Sequence, residues 1–124
     1  MTITIEQIKA AYEQTGATPI AGEFHTFDGT THECCLLSVL YLEKFGADNL
    51  DQALLEREGA FIDPIVKLSH DLELDPRYAR GIIDGFDALS GTFSRVLWSE
   101  SAQAEYERGY ELGKQARTVF IEEA

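Results

Sequence analysis

Positive charge is scarce in this chain: 10 lysines and arginines stand against 22 aspartates and glutamates, a formal net charge of −12 at pH 7. A field of that sign repels phosphate backbones and anionic lipid surfaces, so neither direct nucleic-acid binding nor attachment to a membrane surface is expected. Cysteine is nearly absent. The two present, Cys34 and Cys35, are adjacent. A bridge between neighbours would staple nothing distant and would demand strained backbone, so no disulfide framework is expected. Long apolar runs are missing too. None approaches the roughly 18–20 residues needed to span a bilayer. Met1-Thr2-Ile3-Thr4 opens no charged-then-apolar export signal, which makes the cytoplasm the expected location.

Several chemical signatures are also lacking. The chain has no glycine-rich phosphate loop, no Gly-x-Ser-x-Gly elbow, no Cys-x-x-Cys and no His-x-x-x-His. Asp84-Gly85-Phe86-Asp87 lacks the alternating oxygen ligands and closing glutamate of an EF-hand loop. No cofactor is therefore expected.

What is there suits one domain. The chain has 124 residues, 44% of them apolar and 26% charged. That length and balance predict a single helical domain over residues 1–124 with a real core. Thr4 with Gln7 spells a capping box, Ile5, Ile8 and Tyr12 follow at helical spacing, and Gly16 supplies a stop. Residues 17–31 break into Pro19, Gly22 and Asp28-Gly29, which reads as a long loop or a small hairpin. Thr30 with Glu33 spells a second capping box ahead of an almost unbroken apolar run from Cys34 to Leu42, a helix for the centre of a bundle ending at Gly46.

A short helix from Leu50 to about Glu58 is expected next, capped by Asp48 or Asn49 and ended by Gly59. Asp63-Pro64 and Asp75-Pro76 each pair a cap with proline at the first helical position. Ile65, Val66, Leu68 and Leu72 follow the first, and the stripe Tyr78, Ile82, Phe86 and Leu89 follows the second. Gly91 marks a connector whose Phe93, Val96, Leu97 and Trp98 can pack beneath the bundle. Ser99 or Ser101 caps a last helix with the inward stripe Tyr106, Gly109, Tyr110, Gly113, Ala116 and Phe120. The expected fold is all-α, a bundle of about five or six helices.

One internal echo stands out. Residues 78–85 and 106–113 both read Tyr-x-Arg-Gly-x-x-x-Gly. An interior glycine costs a helix roughly 0.8–1 kcal/mol relative to alanine, so four of them need a compensating reason. Close helix approach supplies one, which predicts a crossing near Gly81, Gly85, Gly109 and Gly113 flanked by Tyr78 and Tyr106. The competing reading makes this Gly and Tyr surface a groove for a partner helix or flat ligand.

Candidate chemistry is thin. Cys34 and Cys35, read as lying in the first turn of a helix near His32, could be thiolates favoured by the helix dipole; as the head of an apolar run they are core. His25, His32, Cys34, Cys35 and His70 are suitable zinc ligands in type, at spacings that match no zinc pattern. His70-Asp71 resembles the paired ligands of the all-helical HD phosphohydrolases, which hold a metal through a histidine, a His-Asp pair and a distant aspartate. On that resemblance, which covers these two residues, His32 or His25 stands for the first ligand and Asp84 or Asp87 for the last. The plain alternative puts His70 and Asp71 at the polar end of a short helix, and Asp84 and Asp87 on a solvated face within reach of Arg80.

The leading expectation is a non-catalytic, acidic, helical interaction or regulatory protein of inhibitor, immunity or adaptor type that meets a basic protein partner. Its contact regions would be Glu105, Glu107 and Glu111, and the stretch with Glu56, Glu58 and Asp63. The alternative is a small thiol- or metal-dependent enzyme or sensor centred on Cys34, Cys35 and His32. A homodimer is compatible with either.

Overall fold

The computed structural model describes residues 3–60, 64–88 and 99–123, the side chains of 55–60 excepted. The expected cap at Asp63, the partner region at Glu56 and Glu58, Leu89 and the connector with Phe93, Val96, Leu97 and Trp98 lie outside the described residues. The chain is mostly helical, with a small sheet near its start.

Helix α1 (Ile5–Thr15) opens on a complete capping box: Thr4 Oγ1 accepts from the Gln7 N–H at 3.2 Å and Gln7 Oε1 accepts from the Thr4 N–H at 2.8 Å. It closes where Gly16 turns left-handed at φ 71°, a conformation glycine adopts without steric cost.

Residues 18–34 correct the all-α expectation. Three short strands, β1 (Thr18–Pro19), β2 (His25–Phe27) and β3 (His32–Cys34), form a sheet in the order β1-β3-β2. β1 runs parallel to β3, pairing Thr18 with Glu33; β2 runs antiparallel, pairing His25 with Cys34 and Phe27 with His32. The Asp28-Gly29 turn closes the hairpin, with Asp28 Oδ1 accepting from the N–H groups of Thr30 at 2.9 Å and Thr31 at 2.8 Å. The expected second capping box does not form, because Thr30 and Glu33 belong to this turn and strand. Thr30 is held by Asp28, and Glu33 accepts from Thr26 Oγ1 across the sheet at 3.0 Å.

Helix α2 (Leu36–Phe45) consequently starts later than the apolar run does, with Cys35 as its extended N-terminal residue. Leu36, Leu37, Ser38, Val39, Tyr41 and Leu42 are all buried, as befits the central helix. Helix α3 (Ala47–Ala60) begins earlier than expected, the Leu50 N–H bonding to the Gly46 carbonyl, and it continues through Gly59. Asn49 is inside it and donates to the Phe45 carbonyl at 2.7 Å. Helix α4 (Pro64–Asp71) buries Ile65 and Leu68 but leaves Val66 46% exposed, which takes Val66 off the expected stripe. Helix α5 (Pro76–Phe86) is capped by Asp75, which accepts from the Arg77 N–H at 2.8 Å with Pro76 at the first position. Ser99 caps α6 (Glu100–Arg117), accepting from the Ala102 N–H at 3.2 Å, and a π turn over Thr118–Glu122 ends it.

Helices α5 and α6 lie against each other backbone to backbone. A Cβ placed on Gly81 would sit 2.1 Å from the Tyr106 carbonyl oxygen, and one on Gly85 would sit 2.3 Å from that of Tyr110. In return, a Cβ on Gly109 would meet the Tyr78 oxygen at 2.1 Å and one on Gly113 the Ile82 oxygen at 2.2 Å. Four residues forward on one helix match four residues forward on the other, so the helices are parallel. The echo is reciprocal in space: the first glycine of each motif meets the tyrosine carbonyl of the other.

Replacing either Gly81 or Gly109 with alanine tests this packing by sign. Helix propensity alone would stabilise the variant by about 1 kcal/mol. The backbone clash should instead destabilise it by about 2–3 kcal/mol in urea unfolding, because both contacts are to main chain and neither can swing aside.

Candidate functional site

The buried polar chemistry collects where α5, α6 and the sheet meet the start of α2. Asp84 is 7% exposed, and the Tyr106 hydroxyl donates to its Oδ2 at 2.6 Å. This corrects its expected place on a solvated face. The helix echo explains its burial: Asp84 precedes the second glycine of the first motif as Leu112 precedes that of the second, and Leu112 is buried too. An aspartate at an inward position was the available signal in the sequence.

Tyr78 occupies the matching place at the other side of the crossing. Its hydroxyl oxygen accepts from the Ile3 N–H at 3.2 Å, tying the start of the chain to α5, and the Arg108 guanidinium lies 3.9 Å from its ring centroid. Each glycine face is thus covered by the other helix of the same chain, and it offers no open groove to a partner or a flat ligand.

Asp84 also lines a cavity of about 220 Å³ together with Asp87, Arg80, Cys35, Glu23 and Phe24. Asp87 Oδ1 accepts from the Gly22 N–H at 2.8 Å, pinning the loop before β2 to the end of α5. Burial, with Asp84 nearby, pushes the Asp87 carboxyl above its usual range despite that hydrogen bond and Arg117.

The cysteines are interior, and their local structure corrects the helical-turn expectation. Cys34 ends β3 and Cys35 precedes α2. Neither is more than 2% exposed. Burial, and to a lesser degree Cys35 beside it, pushes the Cys34 thiol up to about 12. Burial raises Cys35 as well, although its Sγ lies 3.4 Å from Ser38 Oγ in a hydrogen bond. Cys34 contributes its carbonyl, which accepts from the Tyr12 hydroxyl at 2.8 Å and the Ile20 N–H at 3.1 Å.

The histidines fall into two places. His25 and His32 come together on one face of the hairpin, with His25 Nε2 2.7 Å from His32 Nδ1 and His25 Nδ1 3.6 Å from Asp51 Oδ1. His70 is exposed on the last turn of α4. Its neighbour Asp71 accepts from the Tyr41 hydroxyl at 2.6 Å and pairs with Lys67 at 3.3 Å. Desolvation works against ionisation there, but Tyr41 and Lys67 hold the Asp71 carboxyl below its usual range. The metal set implied by the HD resemblance is not gathered: among the described residues no group of three or more His, Cys, Asp or Glu side chains is arranged to hold an ion.

No family model matches the chain, and no curated protein or solved structure matches it.

Two measurements follow from the buried network. Tyr106→Phe removes the donor to a buried carboxylate and should destabilise the protein by about 1–3 kcal/mol in urea unfolding. A thiol reagent at pH 8 should label native Cys34 about a thousandfold more slowly than an unfolded control, in line with so small a thiolate fraction, and native Cys35 should be slowed as well.

Proposed function

We propose that this chain is a non-catalytic, acidic interaction or regulatory protein of the inhibitor, immunity or adaptor kind, acting in the cytoplasm on a basic protein partner. The observation that carries the reading is where the two kinds of reactive group lie. The thiols are inside, and many carboxylates, though not Asp84 and Asp87, are outside. Glu6 and Glu13 of α1, Glu43 of α2, Asp48 and Asp51 of α3, and Glu100, Glu107 and Glu111 of α6 are all exposed. Such a surface steers a positively charged protein and rejects polyanions.

Two of the described ion pairs lie on this surface. Glu105 pairs with Arg108 at 2.6 Å and Glu111 with Lys114 at 3.5 Å, both on the surface of α6. Exposed pairs of this kind contribute little to stability, so their carboxylates can exchange partners. Among the described residues no helix is long and apolar enough to cross a membrane. The thiol- or metal-centred alternative loses support from the side-chain arrangement, since His32 is paired with His25 rather than with either sulfur.

Capture from the native cell at about 50 mM and about 500 mM salt, with wild type and with E105K/E107K/E111K, tests the reading. A partner retained by wild type at low salt should be lost at high salt and bind the variant at least tenfold more weakly. Capture indifferent to both changes overturns the electrostatic reading.

A further inference from the structure

The hairpin carries a second device, independent of that reading. We propose that the His25–His32 pair is an acid-released clasp, holding β2 on β3 at neutral pH and letting the hairpin open when both rings are protonated. The geometry is specific. The ring planes are 22° apart, the centroids 5.0 Å, and the facing nitrogens 2.7 Å. Nearly coplanar rings at that separation meet edge to edge along one N–H···N hydrogen bond, which needs a donor on one side and a lone pair on the other. One proton between the rings satisfies it. Two protons cannot be accommodated, because both nitrogens then carry hydrogen and both rings carry positive charge.

The neighbours define what else acts on the pair. From α3, Asp51 approaches the far nitrogen of His25 and favours a first proton. From α2, Glu43 shares with His32 a cavity of about 340 Å³, to which α1 contributes the uncharged Gln14 and Thr15. On the hairpin itself, Phe27 stacks on the His32 ring at 4.4 Å, and Cys34 stands opposite His25 in the strand register. Glu33 is engaged by Thr26 one pair along. Burial comes first among the influences on His25 and holds it below its ordinary value, with Asp51 opposing and His32 reinforcing that direction.

The sign follows. A folded value depressed below the unfolded one means that the stabilisation is present above about pH 6.5 and is lost as pH falls through the folded value. The closed pair binds one proton fewer than the open hairpin, so its opening constant should rise about tenfold per pH unit below that point. Opening has a target. The Cys35 N–H bonds to the Phe24 carbonyl at 3.1 Å, and Phe24 is one wall of the cavity that reaches Cys35 and Asp84. Release of β2 would loosen that wall.

Amide hydrogen exchange on the whole protein between about pH 7.5 and 5 tests the clasp, with rates corrected for intrinsic chemistry. Protection of the Cys35 and Thr26 amides should fall about tenfold per unit below pH 6.5, while Ile82 and Tyr110 in the helix pair keep theirs. H32Q retains a neutral partner that can accept from a protonated His25, so its hairpin protection should fall less steeply with pH than that of wild type. Flat protection in wild type, or an equal slope in H32Q, overturns the proposal. Imidazole nitrogen shifts of wild type give a second readout that needs no variant: two coupled steps support the clasp, and two independent ordinary titrations refute it.

Discussion

The rest of the structure depends on the backbone contact between α5 and α6. A side chain as small as a methyl group is excluded at each of four positions, by the carbonyl of the facing helix. Glycine there sacrifices helix propensity for a close approach in which main-chain dispersion and Cα–H···O contacts replace side-chain packing. Tyr78 and Tyr106 owe their place to it: with the helix axes drawn together, their rings reach past the crossing to Ile3 and to Asp84.

The second organising element is β3, three residues long and used on every side. Its neighbours are β1 and β2, its last carbonyl takes the Tyr12 hydroxyl of α1, and the next residue opens α2. A strand this short stabilises little by itself. It instead fixes direction, turning the apolar run so that α2 enters the core with both sulfurs already inside. The buried polar groups are satisfied throughout: among the described residues no buried side-chain nitrogen or oxygen lacks a partner.

Many local signals were legible, though the stop expected at Gly59 and the cap at Asp48 or Asn49 lie inside α3. The boxes and caps at Thr4, Asp75 and Ser99, the stop at Gly16 and the turn at Asp28-Gly29 each operate within a few residues. The echo around Gly81 and Gly109 was readable for the same reason, since a helix shows its repeat every three or four positions. The sheet was not. His32-Glu33-Cys34 precedes a long apolar helix and, in isolation, satisfies the pattern of a helix start; only pairing with residues on both sides makes it a strand. The burial of Asp84 and the meeting of His25 with His32 were hidden likewise, because partners 22 and 7 residues apart are invisible to local periodicity.

Composition and short-range spacing determined that this chain would be acidic, largely helical and closely packed at its glycines, since those properties follow from single residues and from the helical repeat. Tertiary structure decided the direction in which the glycine helices run, the burial of one aspartate among many, and the pairing of two imidazoles on a hairpin. Each of these is a relation between segments that the helix and strand periods do not encode, and it exists only once the chain has brought them within a few ångströms.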